Sequence, residues 1–183
     1  MHIPDNYLSP TTCAVLAVAA APLVGLSITK VKAQLKENKE LAPMLGIAAS
    51  LSFLLMMFNV PIPGGTTAHA VGGVLLSILI GPYAASLALS VALLLQALLF
   101  GDGGILALGA NIFNMAIAMP FVGYAVYHFF RKQNHETAGV IVGSYVGINV
   151  AAFLTAIELG IQPIIATQGG EPLYNPYGLA VTI

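Results

Sequence analysis

Long apolar stretches with almost no charge within them constrain this chain more than any other feature. Six can be read, each bounded by turn or charge signals: Thr12–Thr29, Pro43–Phe58, His69–Ile80, Pro82–Phe100, Gly109–Phe130 and Ala138–Gly160. Only 7% of the residues are charged, against about 25% in a soluble domain. Too few charged side chains exist to coat a globular surface, so lipid is the expected solvent. The fold class that follows is all-α: a polytopic transmembrane bundle of six helices, one domain over residues 1–183. The third stretch is short and meets the fourth at Gly81-Pro82, where proline breaks the helix. The tail Tyr177–Ile183 starts apolar but is far too short to span, and it reads as a seventh helix cut short.

Charge gives an orientation. All six Lys and Arg residues fall in two places: Lys30, Lys32, Lys36 and Lys39 after the first helix, Arg131 and Lys132 after the fifth. Six alternating spans put both connections on one side, and Lys and Arg accumulate on the cytoplasmic side, so the N-terminus is expected outside. The outer side then collects Asp5, Asn6, Asn59, Thr66, Thr67, His69, Asp102, Asn111, Asn114, Glu158 and Glu171. The inner side holds Tyr124, Tyr127, His128, Phe129 and Phe130, which read as an interfacial aromatic belt. Small residues recur every fourth position at Ala17, Ala21 and Gly25, at Ala84, Ala88 and Ala92, and at Gly139, Gly143, Gly147 and Ala151. Such ladders let helix backbones approach closely in lipid.

Several function classes are excluded or disfavoured. Near-neutral net charge without a basic stripe argues against nucleic acid. Cys13 is the only cysteine, which rules out an internal disulfide and a thiolate metal cluster. The N-terminal dozen residues carry Asp5 and no Lys or Arg, unlike a secretory leader, so the N-terminus is expected to be retained. There is no G-x-x-x-x-G-K-[ST] phosphate loop, and no Ser-His-Asp or paired-carboxylate arrangement for catalysis. If such a chain moves an ion uphill, a partner must supply the work.

The N-terminus reads Met1-His2-Ile3-Pro4. A terminal amine, the amide nitrogen of His2 and its imidazole Nδ1 can close fused five- and six-membered chelate rings, leaving one in-plane position open. Square-planar nitrogen sites suit Ni(II) or Cu(II) rather than tetrahedral Zn(II). The ligands must be deprotonated, so binding should strengthen as pH rises. A fourth ligand has to come from the same side; topology assigns His128 and His135 to the inside and leaves His69, at the end of the Pro/Gly-rich Pro61–His69 loop. Gly/Pro-interrupted segments at membrane depth mark substrate sites in transporters. A second polar group, Asp102 with Asn111 and Asn114 on one helix face, could orient a metal-bound imidazole or cap the fifth helix. Glu158, near the outer end of the sixth helix, is read as reaching water or adding negative potential at the entry.

Three motifs carry a resemblance: Met1-His-Ile-Pro-Asp-Asn-Tyr-Leu-Ser-Pro10, the Pro61–Gly73 stretch with His69, and Gly101-Asp-Gly-Gly-Ile-Leu-Ala-Leu-Gly-Ala-Asn-Ile-Phe-Asn-Met115. Together they resemble the CbiM/NikM family, the substrate-binding S components of energy-coupling-factor (ECF) transporters for nickel and cobalt. The first motif is more similar to the nickel members. The resemblance implies a metal held by Met1, His2 and His69, with Ni(II) or Co(II) as transported substrate rather than catalytic cofactor. It also implies a transmembrane coupling (T) subunit and cytoplasmic ATPases as partners, the lipid bilayer of a prokaryotic cell membrane as setting, a seventh helix, and an N-terminal segment buried in the bundle. Two other readings compete: a stand-alone metal facilitator or channel, and a membrane metalloenzyme, which would need an open metal position beside an acid-base residue.

Overall fold

The computed structural model describes residues 2–62, 66–169 and 171–174. Met1 and the Tyr177–Ile183 tail lie outside the described residues. Six helices carry the chain: α1 Pro10–Glu37, α2 Leu41–Met57, α3 Gly73–Ile80, α4 Pro82–Phe100, α5 Leu108–Arg131 and α6 Glu136–Ile165. Two short antiparallel hairpins interrupt them, β1 Val60–Ile62 with β2 Thr66–Ala68, and β3 Thr167–Gln168 with β4 Glu171–Pro172. Four helices (α1, α4, α5 and α6) are long and apolar enough to cross a bilayer. Their outward faces carry Val18, Leu99, Ile141 and Phe153, the inverse of a soluble surface.

α1 starts where the sequence chemistry says it must: Ser9 caps it by accepting from the Thr12 N–H at 3.2 Å, and Pro10 fills the first helical position. At 28 residues it is about 42 Å long, and it continues past the expected Thr29 through Lys30, Lys32 and Lys36. α3 is the opposite case. Its 8 residues span only about 12 Å, and it begins at Gly73 rather than at His69. Gly72 has φ 76°, a left-handed turn that a side chain would resist, so the backbone before it cannot continue the helix. The length that α3 lacks is made up by the β1–β2 hairpin and residues 69–72, which hold His69 in irregular backbone.

α4 is the centre of the bundle. Of its apolar window 56% is buried, against 17% for α1 and 22% for α6, whose faces are left for lipid. Around it pack Met56 of α2, Val74 and Leu76 of α3, Met115 and Met119 of α5 and Ala151 of α6. Two of the three small-residue ladders serve this packing: Ala84, Ala88 and Ala92 are buried on α4, and Gly139, Gly143, Gly147 and Ala151 are buried on α6. At the α5–α6 crossing a Cβ on Gly143 would stand 2.7 Å from the Gly123 carbonyl. The first ladder differs, since a Cβ on Gly25 would meet nothing within 4 Å. Tyr127 departs from the belt expected of its neighbours: it is buried, and its hydroxyl donates to Glu136 at 2.6 Å.

The segments expected on one side do meet at one end of the bundle, where the N-terminal segment touches the 101–107 loop, His69 and Gln162. The crossing of α5 and α6 gives the first prediction. Gly143→Val should destabilise the bundle by roughly 1–3 kcal/mol through overpacking, read as a lower melting temperature in detergent. Gly25→Val, facing open space, should leave that temperature unchanged.

Candidate metal centre

The site is built by tying down residues 2–9. Proline at position 4 and the turn at Asp5–Asn6, where Asn6 takes φ 71°, keep this stretch out of any helix. Its backbone polar groups enter the bundle and must find partners there. Asn111 meets that demand at Ile3: its Oδ1 accepts from the Ile3 N–H at 2.8 Å and its Nδ2 donates to the Ile3 carbonyl at 3.1 Å. The Gly104 N–H donates to the same carbonyl at 2.9 Å. Ile3, Leu8, Cys13, Ala107 and Ala110 close over these bonds as a small apolar cluster.

Asp5 anchors the turn. Its carboxylate accepts from the N–H groups of Ile105 (3.1 Å), Leu106 (3.0 Å) and Ala107 (3.4 Å), in the loop that leads into α5. Ser9 is tied in turn to α6, its N–H donating to Gln162 Oε1 at 2.9 Å. The loop has no room to spare. Gly103 has φ 89°, and a Cβ there would press on Asn111 at 3.1 Å and on the His2 ring at 3.4 Å.

Held this way, His2 lies against His69. The rings stack with centroids 4.8 Å apart and planes 19° from parallel. Nδ1 of His2 stands 3.5 Å from Asp102 Oδ1, while its Nε2 is buried without a hydrogen-bond partner. Burial lowers the His2 pKa to about 4, with Asp102 opposing the shift, and burial lowers His69 as well. Both imidazoles are therefore neutral at neutral pH, the form that ligates a metal. Among the described residues no group of three or more His, Cys, Asp or Glu side chains gathers as a metal site. A nitrogen site here would have to draw on backbone donors as well as these two rings.

The other expected residues divide. Asp102 faces His2, and Asn111 holds the residue next to it. Asn114 is not part of that constellation: it points to α6, donating to Glu158 Oε2 at 2.8 Å and to Thr155 at 3.2 Å. Glu158 does not reach water; it is buried against Asn114. The separation of the two asparagines has a local cause, because α5 runs as a π-helix over Ile112–Ala118 and its phase shifts between them. Two residues not singled out from the sequence matter here, Asp5 and Gln96. Asp5 was visible only as a lone charge. Gln96, fully buried on α4, is the single carboxamide in that apolar stretch, a signal that was available.

Known proteins resemble this chain in sequence and in fold. The model of the CbiM family, described as a cobalt uptake substrate-specific transmembrane region, matches residues 2–183. The chain is 66% identical, over its whole length, to the probable fused nickel transport protein LarMN of Lactiplantibacillus plantarum, of which it covers 56%. It is 47% identical to the fused nickel transport protein NikMN of Rhodobacter capsulatus, again over its whole length and 54% of that protein. It thus spans about half the length of these fused relatives. A crystal structure of a truncated transition metal transporter superposes with a TM-score of 0.93 at 53% identity, covering all of this chain and 85% of that one.

The tether is testable apart from any metal. Asn111→Leu removes the acceptor of the Ile3 N–H and leaves its carbonyl only the Gly104 N–H; it should cost roughly 1–3 kcal/mol, because one buried backbone donor is orphaned. Hydrogen exchange at the Ile3 amide should accelerate while α4 and α6 stay protected. Asp5→Ala should cost roughly 0.5–1.5 kcal/mol, the net worth of a hydrogen bond to backbone partly open to water.

Proposed function

This chain belongs to the CbiM family, and on that premise we propose that it is the substrate-binding membrane component of an ECF-type importer, with Ni(II) as its cargo. One observation carries the reading: His2 and His69, from opposite ends of the first two helices, lie stacked and buried where the three motifs meet. With metal–nitrogen bonds of about 2.0 Å, a Met1 amine, the His2 amide and His2 Nδ1 would occupy three corners of a plane. The fourth corner adjoins Nδ1, and neighbouring imidazoles on one ion have centroids roughly 4.5 Å apart by the same bond length. The 4.8 Å separation of the two rings fits that corner for His69. Four strong nitrogen donors in a plane favour Ni(II). The names of the relatives that are 66% and 47% identical favour it too, whereas the cobalt transport protein CbiM of Clostridium tetani is 32% identical.

The chain supplies binding, not work. It has no phosphate loop, so a T subunit and cytoplasmic ATPases are the proposed partners, in a prokaryotic cell membrane. The Lys- and Arg-bearing loops would face the cytoplasm, which places the two histidines at the outer end. The relatives are named as transport proteins, which supports a carrier over an enzyme.

The test is a Ni(II) titration of detergent-purified protein with a native N-terminus, followed by visible absorption. A yellow, diamagnetic one-to-one complex is expected, tighter at higher pH because the ligands lose protons. It should be absent in His2→Ala, in His69→Ala and in any fusion that turns the Met1 amine into an amide. Lack of stoichiometric nickel binding by the native protein would overturn the reading, and tighter Co(II) binding would reassign the cargo. Metal leakage into vesicles holding this chain alone would favour a channel instead.

A further inference from the structure

On α4, one helix away from the ligands, Gln96 is 0% exposed, and neither its Nε2 nor its Oε1 reaches hydrogen-bond geometry with any described residue. Its carboxamide stands beside the His2 ring, close enough to favour the protonated imidazole. The Nε2 of His2 is likewise buried and unpartnered. Two buried polar groups without hydrogen-bond geometry thus border the same pocket. Burying either alone carries a desolvation penalty, and pairing them removes both.

The backbone around Gln96 is shaped to hold this position. Gln96 opens a π-helical turn over Gln96–Phe100, a departure from α-geometry frequent at functional sites. Its carbonyl accepts from the Gly101 N–H and, at 3.2 Å, from the Asp102 N–H. One residue therefore fixes the start of the loop that carries Asp102 and presents its side chain to His2. The two ring nitrogens of His2 accordingly have two different neighbours, Asp102 at Nδ1 and Gln96 beside the ring.

We propose that Gln96 is the positioning residue of the metal site, accepting a hydrogen bond at Oε1 from the His2 Nε2–H and so leaving Nδ1 free to bind the ion. The inference rests on the chelate described above. A neutral imidazole carries one proton, and the fused rings need Nδ1 as donor, so the proton must sit on Nε2. Nε2–H then requires an acceptor within the buried pocket, and Gln96 Oε1, buried beside the ring and without another partner among the described residues, is the acceptor we assign to it. Outer partners of this kind fix both the tautomer and the ring orientation of a ligating histidine. Asp102 has the other task, since its carboxylate would remain beside the Nδ1-bound cation.

Two measurements on the full chain test this. Nickel affinity by titration should fall roughly 10–100-fold in Gln96→Leu, the range for loss of such a partner, and recover in Gln96→Glu, which keeps an acceptor oxygen. In metal-free protein labelled with 15N-histidine, the His2 signals should show a protonated Nε2 and a bare Nδ1, and Gln96→Leu should abolish that bias. Unchanged affinity in Gln96→Leu, with or without a lower melting temperature, would make Gln96 a packing residue and overturn the proposal. A native His2 protonated at Nδ1 would overturn it as well. If Gln96→Leu does not fold, Gln96→Met replaces it, and equal nickel affinity in Gln96→Met and Gln96→Glu counts against the bond. If the native protein binds no nickel, the carrier reading falls, while the 15N spectra still decide whether Gln96 sets the tautomer.

Discussion

A backbone that enters a bundle without helical bonds of its own must have its N–H and C=O groups met by something else. Residues 2–9 are such a backbone, and the two bonds between Asn111 and Ile3 are where the requirement is met. Everything around them follows from that pairing. Asp5 accepts from N–H groups of the 101–107 loop, that loop closes over the segment, and His2 is carried to His69. The site is therefore a consequence of how the chain solves a hydrogen-bonding problem in an apolar interior.

The same logic explains the irregular helices. α3 is too short to cross a membrane, and the irregular backbone before it is the part that carries His69. α4 and α5 each contain a π-helical stretch, at Gln96–Phe100 and Ile112–Ala118, bordering the N-terminal segment and its supports. Small residues allow this. Gly143 against Gly123, and Gly109 against Ala17, bring helices close enough to seal the interior around polar side chains. Regular packing elsewhere is what lets the end of the bundle be irregular.

Two lines converge on a metal carrier. The chelating chemistry of a Met-His start was available from residue types, and the family comparison puts the chain in the CbiM family, whose members are named nickel or cobalt transport proteins. The geometry adds what neither contains: a second imidazole at 4.8 Å, both rings neutral through burial, and a carboxylate beside one of them. The roles of Asn111 and Asn114, paired by spacing, separate in space because a π-turn lies between them and each meets a different element.

By itself the sequence determined the solvent, the helical architecture, the positions of most helices and the end of the bundle where chemistry gathers. Hydropathy and charge are local, additive properties, and lipid acts on them directly. The three motifs also carried the family. Tertiary structure alone decided that α3 begins at Gly73, that a hairpin precedes it, that Tyr127 is buried against Glu136, and that Asp5 holds the 101–107 loop. Those outcomes depend on contacts between residues as far apart as Asp5 and Leu106, or His2 and His69. No short window along the chain holds both members of those two pairs, so no local signal could reveal them before folding brought them together.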